Sequence, residues 1–310
     1  ETIIGVRDPH WDRPLVLGKI ENSSWILASE TCALDIIGAT YIRDIEPGEM
    51  IVLQNNTIQS IKPFQKKPSK FCIFEYIYFA RPDSFVDGKS VYEARKKIGS
   101  VLALESHINA DLVIPVPDSG VPAAIGYSKQ SKIPYELGII RNHYVGRTFI
   151  EPGDQIRHLG VKLKHNANQH LVKNKKVILV DDSIVRGTTS RKIVEMVRNA
   201  GAKEVHLRIA SPPTTHSCFY GVDTPDRKEL IAANNDNEKI RREINADSLS
   251  FISINGLYRA MGLDYNEKES FYCDACFTGN YAITLTDILG GETSKQLSLL
   301  NESNKWIKKF

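Results

Sequence analysis

Apolar positions along this 310-residue chain change their rhythm near residue 62. Before it, short runs at Thr2–Val6, Pro14–Ile20, Ser24–Ala28, Glu49–Leu53 and Thr57–Ile61 are separated by Asp-Pro, Asn-Ser, Pro-Gly and Asn-Asn turn signals, so residues 1–62 read as all-β. Residues 63–70 form a basic, proline-containing linker (Pro63, Lys66, Lys67, Pro68, Lys70). Beyond Cys72, strands alternate with helices. Val91–His107 is predicted as an amphipathic helix, with Val91, Ala94, Ile98, Val101, Leu102 and Leu104 mostly on one face. Asp111–Val116, Glu136–Ile140 and Glu204–Ala210 read as strands and Pro122–Ser131 as a helix. This alternation predicts an α/β domain over residues 71–290, a parallel sheet with flanking helices, and residues 291–310 read as a polar tail. Strands without a covering helix leave a face and two edges open, so residues 1–62 are expected to pack against sequence upstream of Glu1.

The chemistry concentrates at one strand end. Val177, Ile178, Leu179 and Val180 form a continuous apolar run, the mark of a strand buried on both faces. Asp181 and Asp182 follow at its carboxyl end, then a turn rich in hydroxyls and glycine, then a helix with Ile193, Met196, Val197 and Ala200 on its apolar side. Ligands of open α/β sheets bind at such junctions. Thr188, Thr189, Ser190 and the unpaired N–H groups of the helix start suit a phosphate. The acidic pair suits sugar hydroxyls or a divalent cation instead. An ordinary strand–helix turn with exposed acids is the plainer alternative.

Composition narrows the class. The chain is 42% hydrophobic and 25% charged, with a formal net charge of +3, too small to argue for nucleic acid. No apolar run is long enough to span a membrane and no signal peptide is visible, so a cytoplasmic location is expected. The chain starts at Glu1 rather than Met, which reads as a processed product or a fragment.

Residue for residue, Val177–Ser190 resembles the phosphoribosyl-pyrophosphate (PRPP) signature of type I phosphoribosyltransferases. The resemblance implies that Asp181 and Asp182 hold the ribose hydroxyls and Mg²⁺, while Ser183, Ile184, Val185, Arg186, Gly187, Thr188 and Thr189 wrap the 5′-phosphate. A second strand end, Ile114–Pro122, resembles the family's pyrophosphate loop. It implies contacts from Asp118, Ser119 and Gly120, with Ser119 also on Mg²⁺. Arg141–Ile150 is long, basic and glycine-containing, fitting either a mobile lid or a solvated loop. By resemblance it is the flexible catalytic loop, with Arg141, Tyr144 and Arg147 in catalytic places and Lys162 and Lys164 just after it.

A narrower likeness follows. Phe74–Ser84, the Arg141–Ile150 loop, and Ser211–Pro213 leading to Cys218–Asp223 resemble the amidophosphoribosyltransferase family, over residues 2–285. Residues 1–62 are similar to the closing part of that family's N-terminal-nucleophile glutaminase domain, although Trp11-Asp12 stands where the family commonly has a glycine and an aliphatic residue. The family's glutaminase needs a free N-terminal cysteine, and residue 1 here is Glu1, so a glutamine-hydrolysing segment is expected to be missing. The implied reaction joins ammonia to PRPP, the first step of de novo purine synthesis, with purine nucleotides as inhibitors and a homo-oligomeric state. A salvage enzyme acting on nucleobases and a non-catalytic PRPP- or nucleotide-binding protein are the alternatives.

The Cys273–Cys276 doublet alone is compatible with zinc, a redox pair or chance. Cys72, Cys218, Cys273 and Cys276 match positions where one subgroup of the family binds a [4Fe–4S] cluster, with zinc as the alternative. Cys32 is left over as a packed thiol.

Overall fold

The structure is a computed structural model and describes residues 2–21, 24–65, 67–142, 165–283 and 285. The N-terminal block runs β1 (Thr2–Val6), β2 (Val16–Lys19), β3 (Trp25–Ala28), α1 (Thr31–Ile36), β4 (Thr40–Asp44), β5 (Met50–Gln54) and β6 (Thr57–Ile61). These strands form two three-stranded antiparallel sheets, ordered β1-β5-β6 and β3-β2-β4. Leu17, Ile45, Ile51 and Leu53 are buried together as their shared core.

The all-β expectation needs two corrections. Helix α1 buries Cys32 and Leu34, and Leu34 packs with Val16 and Ala39, so one sheet does have a covering helix. Its six residues are too few to show a helical period, and Ile36 and Ile37 stay exposed. Strand β4 was missed because Tyr41 and Ile42 are both exposed and break the alternation. On β1, Ile3, Ile4 and Val6 also remain exposed. Trp11 adopts φ +68°, the left-handed region that glycine enters freely, with the Arg7 guanidinium 5.0 Å from its ring.

After residues 62–70, which carry no helix or strand where described, come β7 (Phe71–Cys72), a π-helical turn at Glu75–Phe79, the hairpin of β8 (Phe85–Val86) and β9 (Lys89–Ser90), and α2 (Val91–Glu105). Next are β10 (Leu112–Pro115), α3 (Val121–Ser131), β11 (Ile139–Arg141), β12 (His165–Ala167), α4 (Gln169–Val172), β13 (Lys176–Asp181), α5 (Thr188–Asn199) and β14 (Glu204–Ile209). The chain continues with α6 (Ile231–Asn234), α7 (Asn237–Ile244), β15 (Ser248–Phe251), α8 (Ile254–Ala260), β16 (Tyr272–Cys273) and α9 (Ala275–Thr278).

The central sheet is parallel, in the order β10-β13-β14-β15. Strand β13 is buried on both faces: Ile178 and Val180 join the core under α2, α3 and α8, and Val177 and Leu179 join the core under α5 and α7. The expected strand at Glu136–Ile140 is displaced. It meets the sheet only at the Val113–Tyr135 bridge, and Ile139–Arg141 pairs antiparallel with His165–Ala167 instead. Local pattern could not reveal that pairing because the partner lies beyond a long intervening segment. Among the described residues no helix is long and apolar enough to cross a membrane.

Candidate active site

Parallel pairing ends β13 in line with the neighbouring strands and delivers Asp181 and Asp182 to the carboxyl edge of the sheet. Both side chains are buried, at 7% and 8% exposure. The Asp182 N–H donates to Asp181 Oδ1 at 2.9 Å, and Ser183 Oγ donates to Asp182 Oδ1 at 2.5 Å. Burial and the adjacent Asp182 charge push Asp181 well above the usual carboxylate range. Asp182 is raised by burial too, but the Ser119 and Ser183 hydroxyls and the Arg95 charge hold it down. Two adjacent buried acids offer hard oxygen donors of the kind a magnesium ion takes.

Gly187 then reaches φ +77°, where a Cβ would stand 2.7 Å from Ile231 Cδ1, and opens α5 without a side-chain cap. The helix's first N–H groups are left for a ligand. Thr188 and Thr189 are exposed beside them. Ile184 is buried in the core, so its polar contribution is its backbone alone. Arg186 pairs with Glu229 at 2.8 Å, and the Val185 carbonyl accepts from Ile231 N–H at 2.9 Å.

On the neighbouring strand end, Val116 N–H donates to the Val180 carbonyl at 2.8 Å and Gly120 N–H to the Val116 carbonyl at 3.0 Å. A Cβ on Gly120 would lie 2.3 Å from the Val180 oxygen, so glycine is what lets the Ser119 loop reach the acidic pair. The Pro117–Asp118 peptide is cis. Arg141 is drawn into an ion pair with Asp118, tying the edge ribbon to this loop. Tyr144, Arg147, Lys162 and Lys164 lie outside the described residues.

These groups share a cleft of about 1060 Å³, lined at one end by Asp118, Ser119, Arg141 and Asp181 to Thr189. The same cleft continues to Phe74, Tyr78, Tyr220, Tyr281 and all four cysteines. Cys72 and Cys273 are register partners on the parallel pair β7 and β16, and Cys276 follows in α9. Burial pushes the Cys72 and Cys276 thiols up, and Cys273 up to about 12, and Cys276 also feels Cys72, Cys273 and Cys218 as neighbours. Burial likewise raises Asp12, beside Cys273, to about 7. Among the described residues, no group of three or more His, Cys, Asp or Glu side chains is arranged to hold a metal ion. All five cysteines are free, and Cys32 is a buried core thiol as expected.

Arg95 is a site residue that the sequence reading missed. It is 4% exposed, donates to the Tyr76 and Ala80 carbonyls at 3.1 and 2.7 Å, and lines a small void with Ser119 and Asp182. The signal was present, for Arg95 interrupts the apolar face of α2 between Ala94 and Ile98.

Residues 88–211 match the family model of the phosphoribosyl transferase domain. The amidophosphoribosyltransferase of Rhizobium etli is 54% identical over 305 residues, covering 96% of this chain and 61% of that protein. That of Bacillus subtilis is 51% identical over 274 residues, covering 88% of this chain and 57% of its own length. The solved structure of B. subtilis glutamine PRPP amidotransferase, complexed with ADP and GMP, superposes with a TM-score of 0.83 at 50% identity, covering 91% of this chain and 62% of that one. The chain thus spans about three fifths of the length of these relatives. By sequence and by fold the chain is similar to the amidophosphoribosyltransferases over that part of their length, which includes a phosphoribosyl transferase domain.

Proposed function

We propose that this chain transfers the phosphoribosyl group of PRPP to ammonia. The ammonia lone pair forms a bond to C1′ as the C1′–oxygen bond to pyrophosphate breaks. The bonding electrons leave on that oxygen and one proton passes to solvent, giving 5-phosphoribosylamine and pyrophosphate. The observation that carries this reading is the buried Asp181–Asp182 pair, one five-residue turn before the uncapped start of α5, in a cleft of ligand size.

Ammonia is already a nucleophile, so the protein's task is positioning and charge stabilisation. Asp181 and Asp182 orient the ribose hydroxyls, and the turn from Ser183 to Thr189 receives the 5′-phosphate. The loop of Asp118, Ser119 and Gly120 receives the pyrophosphate, with Arg141 at its edge. Asp181, Asp182 and Ser119 would hold Mg²⁺, which would supply charge neutralisation for the departing pyrophosphate. In a longer protein the ammonia would come from glutamine.

We further assign Cys72, Cys218, Cys273 and Cys276 to a structural [4Fe–4S] cluster, with zinc as the alternative. All four line the same cleft, and Cys276 feels the other three as neighbours, which supports this, although their side chains are not drawn together as a ligand set. Purine nucleotides as inhibitory ligands, a homo-oligomeric state and a cytoplasmic setting complete the proposal, the first in keeping with the ADP and GMP of the B. subtilis structure.

Pyrophosphate release from PRPP, with Mg²⁺ and either ammonium chloride or a panel of nucleobases, tests the reading. Release is expected with ammonium and not with nucleobases. Release driven only by a nucleobase, or none at all, refutes it.

A further inference from the structure

The segment after β14 carries a buried hydroxyl that the chemistry above does not use. Its two ends are pinned: Ala210 N–H donates to the Asp181 carbonyl at 2.9 Å, and Thr215 N–H donates to the Cys276 carbonyl at 2.9 Å. Thr215 Oγ1 also donates to the Phe277 carbonyl at 2.9 Å. Residues 211–214 therefore bridge from the acidic pair's backbone to α9. Thr214 lies on that bridge, lines the cleft and is 3% exposed, yet its Oγ1 has no hydrogen-bond partner among the described residues. A buried hydroxyl without a partner is destabilising, and native structures keep few of them.

Sheet order gives this hydroxyl a place in the reaction. Ser119 follows β10, the acidic pair ends β13, and Thr214 follows β14, so the two loops flank the acids on opposite sides. With pyrophosphate leaving on the Ser119 side, a nucleophile that enters opposite the leaving group arrives from the Thr214 side. A hydroxyl suits that position. Its oxygen can accept an N–H, a contact that leaves the nitrogen lone pair free to attack.

We propose that Thr214 is a substrate-binding residue for the entering nitrogen nucleophile, its oxygen accepting one N–H of ammonia at the acceptor end of the cleft. The inference rests on the phosphoribosyl-transfer reading. Thr214→Val keeps the shape and removes the hydroxyl, Thr214→Ala removes it by truncation, and Thr214→Ser retains it. Ser211 is a control, since its hydroxyl is equally buried and unpartnered among the described residues but does not line the cleft.

In steady-state assays of the full chain, Thr214→Val and Thr214→Ala are expected to lower kcat/KM for ammonia at least about fivefold, the scale of one lost hydrogen bond, with KM for PRPP unchanged. Thr214→Ser and Ser211→Ala should match the parent, and the thermal midpoint of Thr214→Val should be equal or higher. An unchanged kcat/KM for ammonia, or a parallel loss for PRPP, overturns the inference. A parent chain that releases no pyrophosphate with ammonium overturns the functional reading as well; an active parent with an unaffected Thr214→Val overturns this inference alone.

Discussion

The Glu30 carboxylate accepts the Ser84 hydroxyl at 2.8 Å, joining the start of α1 to the turn that walls one side of the cleft. The same oxygen accepts Arg81 N–H at 2.7 Å, and Thr31 Oγ1 accepts Phe85 N–H at 2.9 Å. Ala80, next along that turn, holds Arg95, which in turn faces Asp182. The β-rich block and the wall of the candidate site therefore meet through these polar contacts.

Glu30→Ala should destabilise the chain by about 1–3 kcal/mol, because Ser84 is fully buried and its hydroxyl would lose its partner. Urea denaturation measures this. The double variant Glu30→Ala, Ser84→Ala is expected to be no less stable than Glu30→Ala, since the orphaned hydroxyl is then gone. An unmoved denaturation midpoint for Glu30→Ala would show that the contact contributes nothing.

Glu49 carries the acid sensitivity of the block. It is 1% exposed, receives both Arg43 Nη groups at 2.8 and 2.6 Å, and accepts from Ser60 Oγ at 2.6 Å. These bonds, the Arg43 contact first, lower its pKa from 4.5 to about 2. A carboxylate lowered by folding contributes stability above its unfolded pKa and loses it as pH falls through the folded value. The contribution, on the order of 3 kcal/mol, should thus fade between about pH 4.5 and 2. Glu49→Gln should be destabilised at pH 7 and show a flatter stability profile across that window; a profile as steep as the parent's refutes the assignment.

Asp181→Asn and Asp182→Asn should each reduce ammonia-dependent pyrophosphate release at least about 100-fold, the scale of losing a preorganised charge at a transition state. Stability should hold or rise, since each change removes one of two adjacent buried acids. Near-parental turnover in the double variant would refute the site.

Metal content separates the fates of the four cysteines. Anaerobically prepared protein is expected to contain iron and sulfide and to absorb broadly in the visible, and Cys72→Ser should lose both. Colourless protein holding zinc instead would replace the cluster with a zinc site.

Much of the site was legible because its signals are local. The run Val177–Val180, the acids after it and the hydroxyl turn lie within fourteen consecutive residues, and β13 and α5 formed where the pattern placed them. Arg95 was harder, since its meaning lies in what packs over it. Helix α1 and β4 were missed because each is short and partly exposed, so neither leaves a period to detect.

By itself the sequence determined the α/β alternation, the strand–turn–helix unit and the residue types of the candidate site, because hydrophobic period and turn chemistry act over a few residues. Tertiary structure alone decided that Cys72 and Cys273 are neighbours, that Arg141 pairs with Asp118, that Glu30 reaches Ser84, and that Thr214 stands across the acidic pair from Ser119. Each of these depends on sheet order and long-range closure, where free energy comes from packing segments far apart in the chain and no local pattern records the partner.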